Sequence, residues 1–231
     1  DPTPPPAVIL VRPGTGQWEV VRPAVDPESL PDPAYLPVPE STTLTGPDGR
    51  EVYVHIYPPR NPDHTAPEGE RPPYLVLVHG GPTAQSMVAL DLAKAFFTSR
   101  GIGVLDVNYG GSTGYGRAYR QRLDGAWGEV DVEDCVVAAQ ALVERGDADP
   151  DRLAIRGGSA GGWTTLCAVT STDVFAAATS LYGVADATKL TETTHYFGSR
   201  YVAHLVGPRG GARAPEDIDA VEAHGTGTTL G

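Results

Sequence analysis

The chain is poor in positive charge. Its 231 residues carry 17 lysines and arginines against 29 aspartates and glutamates, a net charge of −12. That deficit argues against a nucleic-acid or anionic-membrane partner, because either needs a basic face. Long apolar runs are also lacking: none approaches the ~20 residues that span a bilayer. Methionine occurs once, at Met87, and the chain opens Asp1-Pro2-Thr3, so no signal peptide is expected and the N-terminus reads as cut. Cysteine is scarce. Cys135 and Cys167 fall in stretches that read as helices and cannot build a disulfide framework. They are expected as buried thiols in a reducing, cytoplasmic compartment. Neither GxGxxG spacing nor a Walker lysine is present, and no cofactor or metal is expected.

What the chain has in abundance is punctuation: 28 glycines and 22 prolines, unevenly spread. Residues 1–40 hold many of the prolines around two β-rich runs, 7–12 and 17–22, joined by Pro13-Gly14-Thr15-Gly16, a hairpin signature. One hairpin cannot bury its own face, so it is expected to lean on something. Runs 41–45 and 50–57 follow, the second alternating Val52, Val54, Ile56 against Tyr53, His55, Tyr57, the period of a half-buried strand. His55 reads there as a packed strand residue. His64, in the proline-rich loop 58–73, reads as solvated.

From Tyr74 the pattern changes. Continuous apolar runs at 75–78, 102–107, 153–155 and 176–181 alternate with helical stretches at 90–99, 131–145 and 162–169. In the second of these helices Val132, Val136, Ala139 and Val143 form one stripe. Strands without alternation, separated by helices, predict a parallel sheet covered on both faces: an α/β fold.

Gly157-Gly158-Ser159-Ala160-Gly161 is a GxSxG element with an apolar strand running in and a small-residue helix running out. A serine on so tight a turn is strained, and glycines two before and two after remove Cβ atoms that would clash. The turn lifts the hydroxyl clear of the sheet and sets the Ala160 N–H at a helix N-terminus, where anionic charge is stabilised. Ser159 is the candidate nucleophile. His79-Gly80-Gly81-Pro82 follows the strand at 75–78 and offers a second backbone donor; His79 sits on that loop as a structural residue rather than the base. The loop Asn108–Gly116 follows the next strand and shares the rim, where Tyr109 and Tyr115 either donate to an oxyanion or only pack. Asp131 and Asp134, one helical turn apart, read as a solvated helix start.

Together, VLVHGGPT (76–83), DVNYGGSTGYGRAY (106–119), WGEVDVEDC (127–135), RLAIRGGSAGGWTTLCA (152–168), FAAATSLYGVAD (175–186) and SRYVAHLVGP (199–208) resemble the prolyl oligopeptidase family of serine peptidases. The likeness is to the dipeptidyl aminopeptidase/acylaminoacyl-peptidase type. It implies an α/β-hydrolase fold preceded by a β-propeller, with Ser159 as nucleophile and Ala160 N–H as main oxyanion donor. Tyr115 would be the family's oxyanion tyrosine and Gly81 the further backbone donor. It also implies a division of the chain: 1–40 as a propeller-end hairpin and linker, 41–208 as the catalytic domain, 209–231 as a foreign or disordered tail. Within that tail VEAHGTGT (221–228) resembles the histidine motif of polyketide ketosynthases, with no matching nucleophilic cysteine.

On this reading the hydrolase fold is incomplete, lacking strands 7 and 8 and the triad Asp and His that follow them. Asp186 with His195, His204 or His224 could only improvise a triad. The expected function is a serine peptidase cleaving peptide substrates through an acyl-enzyme, impaired in this chain. A small-ester hydrolase and a non-catalytic fragment stay open as alternatives. Self-association through the bared sheet edge at 176–181 is expected, since unpaired apolar edges invite pairing.

Overall fold

The computed structural model describes residues 4–46, 49–187, 189–190, 201–202 and 204–206. It opens with a hairpin, β1 (Ala7–Val11) against β2 (Trp18–Pro23), followed by two 3₁₀ turns at Pro27–Ser29 and Pro33–Tyr35. Asp26 and Asp32 open those turns by accepting from the amides of Glu28 and Ala34. Then come β3 (Glu40–Thr45), β4 (Glu51–Tyr57), β5 (Tyr74–Val78), α1 (Leu92–Thr98) and β6 (Gly103–Asn108). They are followed by α2 (Arg117–Gln121), α3 (Val130–Arg145), β7 (Leu153–Gly158), α4 (Ala160–Ser171) and β8 (Ala177–Leu181).

Six strands share one sheet in the order β3-β4-β6-β5-β7-β8. β3, β4 and β6 pair antiparallel, whereas β6, β5, β7 and β8 run parallel. The expected α/β architecture is therefore present, with element ends within a few residues of the sequence reading. Helices cover both faces. On β6, Asp106 turns to Lys94 of α1, while its neighbours Leu105 and Val107 join the core under α3 and α4. Gly146, at φ 82°, stops α3 in a left-handed cap whose amide returns to Leu142 and Val143, as C-terminal glycines do. The parallel strands deliver their carboxyl ends, and the loops that follow them, to a single rim.

Two expectations fail. The hairpin does not lean on the domain: Val8, Trp18 and Val21 are each more than 60% exposed, at 64%, 63% and 62%. Its strands satisfy only each other's backbones. Nor is the start of α3 solvated. Asp131 and Asp134 are both 0% exposed. Buried polar groups persist only when protein partners replace water; here the amides of Gly128 and Gly110, the Thr164 hydroxyl and the Arg122 guanidinium do so.

Candidate active site

β7 runs directly into α4 with one residue between them, and that residue is Ser159. Its backbone sits at φ 55°, ψ −118°, a region that costs an L-residue on the order of 1–3 kcal/mol unless the surroundings impose it. They do. The Ser159 amide donates to Leu181 O of β8 at 3.0 Å, and its carbonyl accepts from Trp163 at 3.2 Å and Val184 at 3.3 Å. The flanking glycines let the chain close. A Cβ on Gly157 would lie 2.1 Å from Gly161 O, and one on Gly161 would lie 2.2 Å from Val78 O. No side chain but hydrogen fits there. The Ser159 side chain is left exposed on the rim.

The turn 79–82, leaving β5, abuts this elbow. A Cβ on Gly80 would sit 3.1 Å from Gly158 O and 3.5 Å from the Ser159 Cβ. Gly81 adopts φ 123°, where a side chain is strained and its Cβ would meet Ala84 N at 2.7 Å. Among the described residues the Ala160 and Gly81 amides donate to no protein group. Two N–H groups without a protein acceptor therefore lie on the elbow and on the turn that abuts it.

His79 lies on this turn with both ring nitrogens engaged. Nδ1 donates to Gly80 O at 2.8 Å, which leaves Nε2 to accept from the Ser112 hydroxyl at 2.7 Å. Burial lowers its pKa, against the Gly80 bond that raises it, so the ring stays neutral. It stacks on Tyr109 with ring centroids 4.4 Å apart.

The loop after β6 separates its two tyrosines. Tyr109 is buried, and its hydroxyl lies 2.9 Å from Pro82 O and 3.1 Å from His79 O. Burial holds its pKa far above the ordinary value, so it remains a donor that latches the 79–82 turn. Tyr115 is half-buried and stacks on Tyr53 at 4.0 Å. Its oxygen accepts from Asn108 Nδ2 at 3.0 Å, which keeps its own proton available. Burial raises its pKa too, so that proton stays on at neutral pH.

Two tyrosines escaped the sequence reading. Tyr182, after β8, holds a positive φ of 41° and is 69% exposed, with its ring over Gly158. Tyr201 sets its hydroxyl 2.7 Å from Thr83 Oγ1 and 3.4 Å from Gly81 O. Only contacts across 118 residues or more reveal it, and no local pattern carries that signal. The residues weighed for an improvised triad do not assemble. Asp186 caps Lys189, His204 Nε2 pairs with Asp124 at 3.1 Å, and His195 and His224 lie outside the described residues. Among the described residues no group of three His, Cys, Asp or Glu is placed to hold a metal ion.

The geometry has relatives. A sequence profile described as the prolyl oligopeptidase family matches residues 89–221. Dipeptidyl aminopeptidase BIII of Pseudoxanthomonas mexicana is 31% identical over 169 residues, 72% of this chain and 24% of that protein. The acylamino-acid-releasing enzyme of Arabidopsis thaliana is 40% identical over 97 residues, 42% of this chain and 13% of that protein. Among solved structures, a Mycobacterium tuberculosis puromycin-hydrolyzing peptidase superposes with a TM-score of 0.85 at 58% identity, covering 90% of this chain and 31% of that one. An acylaminoacyl peptidase in complex with Z-Gly-Gly-Phe-chloromethyl ketone gives 0.66 at 26% identity, covering 75% of this chain and 27% of that one. The chain thus spans 24% of the first relative's length and 31% of the first structure's.

Proposed function

The chain belongs to the prolyl oligopeptidase family, and on that premise we propose that Ser159 is the nucleophile of a peptide-bond hydrolase working through an acyl-enzyme. The observation that carries this is the strained Ser159 backbone, which holds an exposed hydroxyl beside the unengaged Ala160 amide and against the turn that carries Gly81. In this reading Ser159 Oγ adds to the scissile carbonyl carbon. The oxyanion takes hydrogen bonds from Ala160 N–H, Gly81 N–H and the Tyr115 hydroxyl. The amine leaves, and water releases the acyl group. Z-Gly-Gly-Phe-chloromethyl ketone bound by a structural relative supports a peptide as substrate.

A base must take the serine proton. Among the described residues no imidazole bonds to Ser159 Oγ: His79 is held by Gly80 and Ser112, His55 by Ser41, and His204 by Asp124. General-base assistance contributes ~10²–10⁴-fold, so this chain alone should turn over peptide p-nitroanilides slower than its longer relatives by about that factor. The same absence favours a second reading, a fold that binds peptide without cleaving it. Turnover by the chain and by Ser159→Ala separates the two. Rates that match between them would remove the nucleophile, while fast Ser159-dependent turnover would locate a base outside the described residues.

We also infer that the chain associates with itself and resides in the cytoplasm. β8 pairs with β7 alone among the described residues, and its first three residues are exposed. Together with the bare hairpin, this uncovered edge favours self-association. Light scattering at micromolar concentration should show oligomers; a monodisperse monomer would refute them. Cys135 and Cys167 are buried and unpaired, in keeping with a reducing, cytoplasmic setting.

A further inference from the structure

We propose that Asp131 and Asp134 of α3 are positioning residues that hold the three oxyanion donors in register from beneath the rim. This rests on the reading of Ser159 as nucleophile. The two carboxylates lie one helical turn apart and point inward, each to a different wall of the site.

Asp131 holds the wall behind the serine. Its Oδ1 accepts from the Gly128 amide at 2.6 Å, and its Oδ2 accepts from the Thr164 hydroxyl. Thr164 lies one turn below Ala160 on α4 and commits its hydroxyl proton to the carboxylate, with Oγ1 3.2 Å from Ala160 O, so the start of α4 is tied to Asp131 through Thr164. The other end of the clamp is as tight. Gly128 sits at φ 94°, where a Cβ would come within 3.0 Å of the Trp163 indole nitrogen. The amide carried at the head of that turn is Ala160 N–H.

Asp134 holds the opposite wall. Its Oδ2 accepts from the Gly110 amide at 2.6 Å, and Arg122 Nη2 stands 3.4 Å from both carboxylate oxygens. Gly110 is the base of the loop that carries Tyr115. It also follows Tyr109, whose hydroxyl reaches Pro82 O and so fixes the residue next to Gly81. Ala160, Tyr115 and Gly81 therefore all trace back to one turn of one helix.

A core built only for stability would not need this pair. Carboxylates are costly to bury, and apolar side chains of similar volume commonly serve as well. Asp131 sits in the first turn of α3, where the positive helix end eases that cost, and the two carboxylates hold the elements that carry the proposed oxyanion donors. Misplacing such a group by about 1 Å is enough to cost ~10²-fold in rate.

The test reads the rate at which a fluorophosphonate modifies Ser159 in the full chain, resolved into a maximal rate and a half-saturating concentration. The variants are Thr164→Val, Thr164→Ser, Asp131→Ala and Asp134→Ala, with Ser159→Ala as the blank. Thr164→Val is isosteric and keeps the fold safest. It should lower the maximal rate about tenfold or more with half-saturation within about twofold, while Thr164→Ser restores it. Asp134→Ala should act the same way through the other wall. A wild-type maximal rate in Thr164→Val, or losses that only follow the unfolded fraction, would overturn the proposal. If wild type and Ser159→Ala are equally unlabelled, Ser159 is not activated in this chain, and amide hydrogen exchange then decides the brace. Faster exchange confined to residues 160–163 in Thr164→Val, and to 110–116 in Asp134→Ala, would support it. Unchanged exchange there would refute it.

Discussion

Gly161→Ala should collapse the elbow, although Gly161 lies in a helix, where alanine is ordinarily favoured by about 1 kcal/mol. Sterics reverse the sign. The added Cβ would stand 2.2 Å from Val78 O, 2.8 Å from Val78 C and 2.9 Å from His79 O. All three are backbone atoms of β5 and the turn after it, and a rotamer change cannot move them. Relief requires α4 to lift away from the sheet, breaking the Ser159–Leu181 bond and unseating Trp163, which is 3% exposed in the core. Overpacking a core usually costs ~1–3 kcal/mol, and a clash on rigid backbone belongs at or beyond the top of that range. A domain has only ~5–15 kcal/mol to lose. Gly157→Ala, with its Cβ 2.1 Å from Gly161 O, should do the same from the strand side. Urea unfolding followed by far-UV circular dichroism reads the result directly. A midpoint equal to or above that of the wild type would mean that the elbow is far looser than its geometry.

These glycines explain why the elbow was legible in the sequence. GxSxG places its glycines where two backbone segments nearly touch, so spacing alone carries the geometry. The parallel strands were legible for a similar reason. β6 is buried along its whole length, and burial on both faces writes itself as a continuous apolar run. α3 was only half legible. The stripe is right, with Val132 and Ala139 buried and Val136 and Val143 packed against the core, but the buried face is wider than the stripe and also takes in Asp131, Asp134, Cys135, Ala138 and Leu142. Hydropathy assigns charged residues to water, so the two inward carboxylates at the edge of that face were read as solvated. Asp106 was passed over in the same way, because its partner Lys94 lies on another element. Contacts of that kind depend on topology: β5 slots between β6 and β7, and nothing local states that order.

The second large effect follows from Asp131 itself. Burial is the main cause lifting its pKa from 3.8 to about 6, against the lowering bonds from Thr164 and Gly128. A carboxylate whose pKa is raised in the fold binds more protons folded than unfolded between those values. Stability is therefore greatest below about pH 4 on this account, falls as pH rises towards 6, and is level above. Two units correspond to about 3 kcal/mol. The other ionisable groups facing it are Tyr109 at the end of β6, Asp134 and Cys135 on α3, and Cys167 on α4. The phenol and both thiols are pushed upward by burial and stay neutral throughout the window. Asp134 also titrates upward, but it does so in both proteins when wild type is compared with Asp131→Asn. The amide keeps an acceptor for Gly128 and a donor for Thr164, which frees the Thr164 hydroxyl to donate to Ala160 O. The variant should therefore match the wild type near pH 4.5 and exceed it by roughly 1–3 kcal/mol at pH 7.5, losing the Asp131 share of the downward slope between. Urea unfolding of both proteins across that range measures the difference. An Asn variant less stable than wild type at pH 7.5, with the slope unchanged, would show that the fold draws net stability from the Asp131 charge. Burial would then not be what sets its pKa.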